Sequence, residues 1–184
     1  MAVTRLTTNG LTGTKYDIAS ADNYYMEPIA TTLVGSGGTS TITFTGIPQN
    51  YKHLQIRFLA KFSTIAYGNI RFNSDTTTSN YRNHALFGTG SGGGGSNTAA
   101  NSAYFPFDGN TQWGPGILDI LDYANVSKNK ITRELGGWDN NGSGAIYLSS
   151  NLWMNTAAIT SVSITTSSGT LAEYSRFSLY GIKG

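Results

Sequence analysis

Carboxylates are the residues whose chemistry would most readily define a reaction in this chain. Glycoside cleavage, the reaction that suits a polar β protein with surface aromatic residues, needs two carboxylates held about 5–10 Å apart. Asp119 and Asp122 lie in one predicted strand, where their odd spacing places them on opposite faces. Asp108, Glu134 and Asp139 would meet another acid only through the fold. The sequence indicates no catalytic pair, and we expect a protein that is not an enzyme.

Two loops carry part of a ligand-binding pattern. Asp139, Asn141 and Ser143 place oxygen atoms at alternate positions, as the first half of a calcium loop does, but Ser150 stands where a bidentate Glu would close the site. The glycines at 92–95 lack the Lys and the helix start of a phosphate-binding loop. We expect no metal site and no cofactor. A sharp Asn-Gly turn explains the first loop, and the sequence leaves open whether that loop binds an ion.

Nucleophilic catalysis is not indicated either. The chain has no Cys, which excludes disulfides and thiolate sites. The two imidazoles, His53 and His84, have no demonstrable Ser–Asp arrangement. We interpret both as surface or hydrogen-bonded residues.

Aromatic residues near predicted turns are the stronger candidates for a functional role. A ring beside polar groups stacks on sugars or anchors a protein partner, although packing at the ends of a sheet explains the same positions. Two further aromatics, Trp153 and Phe177, fit the inward positions of strands and are predicted to lie in the core. The candidate contact residues are Tyr67, Tyr81, Tyr104, Trp113 and Trp138.

Composition restricts the class of protein that must position these residues. The chain has 184 residues, of which 39% are hydrophobic and only 12% charged, with a net charge of +2. This length predicts one domain with a sizeable core. Lys and Arg are scattered, so we expect no nucleic-acid partner. The apolar runs are too short for a transmembrane helix, and residues 1–20 lack the apolar centre of a signal peptide, so we expect no membrane insertion.

Short strands with polar turns account for most of the chain. Thr, Ser, Asn and 23 Gly replace the missing charges, a composition that favours pleated strands and tight turns over helices. Residues 53–62 show the clearest alternation, because Leu54, Ile56 and Phe58 share one face while Gln55 and Arg57 share the other. Residues 29–34 and 40–45 are predicted to form a hairpin across a glycine-rich turn.

The remaining strands complete an all-β pattern. Their spacing is typical of an antiparallel β-sandwich of the jelly-roll kind, and we predict that fold for residues 29–184 as one domain. The segment 88–101 is rich in Gly and is predicted to be a long mobile loop within it. The further predicted strands are 69–72, 81–87, 103–107, 117–122, 130–137, 145–153, 159–165 and 176–182.

Residues 1–28 are predicted to be an extended N-terminal arm, because they show no sustained period of two or 3.6. A frayed terminus is one interpretation. Its apolar side chains favour another, in which the arm docks on a neighbouring chain. The docking residues would be Leu6, Leu11, Tyr16, Ile18, Tyr24 and Tyr25.

Two segments resemble phrases that recur in small virion-associated proteins of tailed bacteriophages, particularly those of marine and freshwater bacteria. They are residues 40–57, STITFTGIPQNYKHLQIR, and the C-terminal residues 176–184, RFSLYGIKG. The similarity extends over about residues 29–184 and is looser between the two segments. Such proteins are surface components of a head or tail, so the resemblance implies a place on the outer surface of a virion and no catalytic residue.

The resemblance leaves two roles open. In the first, the protein decorates the capsid or forms a knob on it, and its arm binds other virion proteins such as the major capsid protein. In the second, it is the distal head of a tail or head fibre that binds a host polysaccharide. Phage surface modules are often three-fold assemblies, so we expect a homotrimer.

Overall fold

The computed structural model describes residues 25–77, 79–108 and 111–184, and within them it contains twelve strands and no helix. The strands are β1 (Met26–Leu33), β2 (Thr41–Phe44), β3 (His53–Ala60), β4 (Tyr67–Phe72), β5 (Tyr81–Thr89), β6 (Gly92–Ala100), β7 (Ala103–Asp108), β8 (Gly114–Leu121), β9 (Lys130–Asp139), β10 (Gly144–Trp153), β11 (Val162–Thr166) and β12 (Arg176–Ile182).

These strands form two antiparallel sheets that pack as a sandwich. The large sheet has the order β1-β12-β3-β8-β9-β10-β5-β6, and the small sheet has the order β2-β11-β4-β7. The chain crosses between the sheets at each step from β1 to β5, from β6 to β8 and from β10 to β12. This alternation is jelly-roll-like, so the predicted all-β antiparallel sandwich is confirmed.

The core lies between the two sheets and follows the predicted alternation on β3. Leu54, Ile56 and Phe58 point into it and are buried. Phe58 packs against Phe177 of β12, with ring centroids 5.7 Å apart. The core positions predicted for Phe177 and Trp153 are confirmed.

The predicted hairpin of residues 29–34 and 40–45 is wrong. The first run lies largely in β1, which pairs with β12 at an edge of the large sheet. The second lies largely in β2, which pairs with β11 in the small sheet. The glycine-rich turn therefore carries the chain from one sheet to the other. Alternation identifies the two faces of a strand but not its pairing partner, because every strand offers the same backbone groups.

The predicted mobile loop at 88–101 is also wrong over most of its length. Gly88 and Thr89 end β5, and β6 pairs with β5 along its whole length as an edge strand. A backbone ladder needs no side chains, so a glycine-rich segment can form one. Close approach favours glycine in this strand, because a Cβ atom on Gly93 would lie 2.9 Å from the carbonyl oxygen of Phe87.

The N-terminal arm falls mostly outside the described residues, as do its predicted docking residues Leu6, Leu11, Tyr16, Ile18 and Tyr24. Tyr25 is exposed, and its carbonyl oxygen accepts a hydrogen bond of 3.0 Å from the Lys183 amide. The sandwich begins at Met26, three residues before the predicted boundary, because β1 adds to the edge of the large sheet there.

Candidate functional site

The predicted contact aromatics do not form one site. Tyr67, at the start of β4, and Trp113, just before β8, are exposed. Tyr104 is partly buried, with its ring centroid 6.2 Å from that of Tyr147. Trp138 is partly buried against the core. The first pair keeps the exposure that a contact role needs, whereas the second pair is used largely in packing.

Tyr81 is not a surface contact, which corrects the prediction. It is fully buried at the start of β5, where it stacks on Trp153 with ring centroids 6.4 Å apart. Its hydroxyl accepts a hydrogen bond of 3.1 Å from the Phe72 amide. Burial raises the pKa of Tyr81 to about 12. Proximity to a turn suggested exposure, but the first residue of β5 faces inward.

Asp119 and Asp122 each have their own polar partners in the structure. Asp119 accepts a hydrogen bond of 2.7 Å from the Gln55 side chain on the outward face of the large sheet. Asp122 lies in the turn after β8, where Lys128 and Lys52 lower its pKa to about 2. The described residues contain no group of three or more His, Cys, Asp or Glu side chains placed to hold a metal ion.

The loop at 139–143 is the tight turn that joins β9 to β10. Asn141 and Gly142 both have positive φ, at 41° and 113°, as an Asn-Gly turn requires. One Asp139 carboxylate oxygen accepts a hydrogen bond of 3.0 Å from the Asn141 amide, and the Asn140 amide donates to the Ser143 carbonyl oxygen. The predicted turn is confirmed, and the Asp139 carboxylate stabilises it by accepting the hydrogen bond from the Asn141 amide.

Part of the β9–β10 hairpin reverses the usual distribution of side chains between the two faces of a sheet. Its outward positions carry aliphatic side chains, among them Leu135 and Leu148, which are 48% and 54% exposed. Besides the apolar Ala145, Tyr147 and Trp153, its inward positions carry polar side chains that are almost completely buried: Lys130, Thr132, Glu134, Ser149 and Asn151. A buried polar side chain costs free energy unless it is hydrogen-bonded. A contiguous group of exposed aliphatic side chains is unfavourable because it contacts water.

The outward aliphatic residues continue across four adjacent strands. Ile117 of β8 lies opposite Leu135 of β9, Leu135 opposite Leu148 of β10, and Leu148 opposite Leu86 of β5. Directly opposite side chains have Cβ atoms about 5 Å apart, so these four are neighbours in one row. Ile146 lies two positions from Leu148 on the same face and is 60% exposed. We call these five residues the outer patch.

A groove lies beside the outer patch on the same face. Its volume is about 540 Å³, and Leu86, Leu148 and Gly95 form its apolar part. Its polar part is a second ladder row, in which Arg133 lies opposite Ser150 and Ser150 opposite His84. The groove thus combines an aliphatic surface with three hydrogen-bonding side chains.

The inward polar residues of the hairpin satisfy one another. The Glu134 carboxylate accepts hydrogen bonds from Thr132, at 2.6 Å, and from Ser149 and Asn151. The Asn151 side-chain oxygen accepts a hydrogen bond of 2.8 Å from the Tyr104 amide of β7, which links the two sheets. Burial raises the pKa of Glu134 to about 7, although the three hydrogen bonds oppose that shift. We call Thr132, Glu134, Ser149 and Asn151 the buried network.

Lys130, the first residue of β9, is a further buried polar residue. Its ammonium donates hydrogen bonds of 3.0 Å to the Lys128 carbonyl oxygen and 2.9 Å to the Thr156 carbonyl oxygen. Burial lowers its pKa. Lys130 therefore holds the loop before β9 against the loop after β10, and it is not a free cation.

The outer patch was not predicted from the sequence, although the sequence carries a signal for it. In β8 and β10, apolar residues occupy consecutive positions, as in Ile117-Leu118 and Ile146-Tyr147-Leu148. Strands with apolar residues on both faces are typical of sheets covered on both sides. Only the register across four strands shows that these outward residues form one row.

Comparison with known proteins adds little to this geometry. No family model and no curated protein matches the chain. Among solved structures it is similar to the galectin LEC-6 of Caenorhabditis elegans, with 9% sequence identity, a TM-score of 0.33, and coverage of 84% of this chain and 96% of the galectin. Similarity at this level carries no argument about function. In the described ranges, the structure has no helix with the length and apolarity to cross a bilayer.

Proposed function

We propose that this chain is a non-enzymatic structural component of a tailed-phage virion, exposed on the particle surface as a capsid decoration or knob protein. Its sandwich would make protein contacts through the outer patch, and residues 1–25 would dock it on other virion proteins. The resemblance of residues 40–57 and 176–184 to small virion proteins supports the location. In this role the protein binds other proteins and catalyses no reaction.

The outer patch is the observation that carries the contact role. Its aliphatic side chains are about half exposed, and they are contiguous because they lie in neighbouring ladder positions. Exposed aliphatic residues scattered singly are normal, whereas contiguous patches of several hundred Å² on soluble proteins mark contact sites. Transfer of such side chains out of water is favourable and has no directional requirement. Burial of the outer patch therefore stabilises a complex with any surface of complementary shape.

Particle occupancy tests the proposal. We expect the protein in purified virions, measured by quantitative mass spectrometry, and subunit-resolution imaging should place it on the outer surface. Deletion of residues 1–20 should abolish incorporation while circular dichroism of the purified protein stays unchanged. Absence of the intact protein from particles would reject the location, and normal occupancy of the deletion variant would reject the docking arm.

The groove favours a second candidate function, receptor binding by a fibre head. Arg133, Ser150 and His84 line it with hydrogen-bonding groups beside an aliphatic surface. Such a combination suits a host polysaccharide that carries acidic sugars, because Arg binds carboxylates through two parallel hydrogen bonds. This role would make the same domain recognise a host and not a coat subunit.

Binding to host cells separates the two candidates. Labelled protein should bind saturably, and Arg133→Ala should weaken that binding at least tenfold if the groove is the receptor site. Arg176→Ala is a matched control, because it changes an outward Arg of β12 that does not line the groove. Trp113→Ala tests whether the exposed aromatic residue predicted from the sequence takes part in this binding. Absence of saturable binding would reject the receptor role.

A further inference from the structure

We propose that a second copy of this chain covers the outer patch. The inference rests on the proposed function, since it names the partner of the same surface. The large sheet would then be covered on both faces, by the small sheet on the inside and by a neighbouring protomer on the outside. The groove beside the patch would receive side chains of that protomer.

The side-chain pattern of the central strands supports a covered outer face. β8 has aliphatic residues on both faces and β10 carries Ile146 and Leu148 outward, whereas β3 and β12 carry Gln55, Arg57 and Ser178 outward. The described part of the small sheet packs on the inward face, and no described segment packs over the outer patch. Leu33 of β1 and Leu59 of β3 are also exposed, but the contiguous aliphatic row lies on β8, β9, β10 and β5, which indicates a local contact there.

The outward face that carries the outer patch is large enough for a stable contact between protomers. Strands β8, β9, β10 and β5 are adjacent and contain eight to ten residues each. At about 4.8 Å between strands and 3.3 Å per residue, their outward face measures roughly 20 Å by 30 Å in projection. Because accessible area exceeds projected area, this is close to the roughly 800 Å² that each partner buries in a standard interface.

Charge favours a copy of this chain as the partner. The net charge is only +2 on 184 residues, so two copies repel each other weakly. Asp119 and Arg133 lie opposite each other in the ladder next to the outer patch. Both signs of charge are therefore present beside the aliphatic row, and a rotated second copy can place its Arg133 near Asp119 of the first. A closed symmetric assembly lets every copy use the same surface.

Sedimentation of the purified protein tests this inference directly. The intact chain should be a dimer or a trimer that dissociates on dilution. Leu148→Asp should weaken the association at least a hundredfold, because each contact would then bury an unpaired carboxylate. Ile65→Asp is the matched control: Ile65 is 74% exposed in the loop between β3 and β4, away from the patch, and its substitution should leave the association unchanged.

A cross-linking variant keeps the test decisive if Leu148→Asp misfolds. Because the chain has no Cys, Leu148→Cys introduces a single thiol in the outer patch. Oxidation should produce covalent dimers at low protein concentration, and Ile65→Cys should not. The same thiol should react slowly with a soluble maleimide in the oligomer and rapidly after dissociation.

The outcomes distinguish this inference from the proposed function. A monomeric intact chain, or an oligomer that Leu148→Asp leaves unchanged, would overturn the inference while particle occupancy still supports the virion role. An oligomer that dissociates in Leu148→Asp, from a protein absent in virions, would support the inference and reject the location.

Discussion

Two regions of the large sheet use alternation in opposite ways. On β3 and β12, buried Ile56 and Phe177 face the small sheet while Arg57 and Ser178 face outward. On β9 and β10, buried Glu134 and Asn151 face inward while aliphatic residues face outward. The first arrangement builds a core. The second forms a hydrogen-bonded polar layer inside and exposes an apolar surface, to which we assign the proposed contact role.

Substitution in the ordinary region should have the largest effect. Phe177→Ala should lower the free energy of unfolding by about 3–5 kcal/mol, because a buried ring that packs on Phe58 and Phe105 is replaced by a cavity. Urea unfolding measures the change. A loss below about 1 kcal/mol would show that this end of the sandwich is not the packed core and would remove the contrast between the regions.

The buried network should respond almost as strongly to loss of one member. Asn151→Ala removes hydrogen bonds to Glu134 and to the β7 backbone, so we expect about 2–4 kcal/mol of destabilisation. Ser150, the residue before Asn151 in β10, faces outward, and Ser150→Ala should change stability by less than about 0.5 kcal/mol. Equal effects in the two variants would mean that the network does not hold the sheets together.

Glu134 should make stability depend on pH. Its pKa rises from 4.5 to about 7 on folding, so between these values the native state binds more protons than the unfolded state. Stability should therefore fall by about 3 kcal/mol as the pH rises from about 4.5 to about 7, and change little above that range. Below it, carboxyls whose pKa is lowered, such as Asp122, should lose their stabilising contribution on acidification.

Two variants assign this pH dependence. Glu134→Gln should flatten the profile between pH 4.5 and about 7 and stabilise the protein at neutral pH, because no charge then needs to be buried. Asp119→Asn changes a carboxyl on the outward face and should keep the slope. A slope that persists in Glu134→Gln would show that another group titrates, and thermal unfolding across the pH range measures both.

The outward face of the hairpin should give the smallest effect on the isolated protomer. Leu135→Lys should change the free energy of unfolding by less than about 1 kcal/mol at concentrations where the protein is monomeric, because the side chain is half exposed. A loss comparable to that of Phe177→Ala would mean that Leu135 packs within its own chain and would contradict the contact role of the outer patch.

Particular elements show where sequence reasoning succeeded. The alternation of residues 53–62 predicted the faces of β3 correctly, since period two and the chemistry of each residue suffice there. The Asn-Gly turn between β9 and β10 was also predicted, because its backbone requires positive φ. By contrast, the hairpin of residues 29–34 and 40–45 and the loop at 88–101 were wrong, since pairing partners and glycine-rich ladders have no strong local signal.

The candidate site depended more heavily on the fold. Tyr67 and Trp113 are exposed as expected, but Tyr81 is core, because nearness to a turn does not determine the direction of a side chain. The groove brings together His84, Arg133 and Ser150, which are far apart in sequence. Their adjacency follows from the pairing of β5, β10 and β9, and no spacing along the chain indicates it.

Local chemistry alone thus determined that this protein consists of strands and turns with few charges, because β propensity, period two and positive-φ residues act over a few positions. Only the tertiary structure decided which face of β9 and of β10 is inside. That choice depends on which strands pair and what packs across them, and it placed Glu134 in the interior and Leu148 on the surface. Long-range contacts, which no single segment encodes, therefore determine where the protein has a surface to offer a partner.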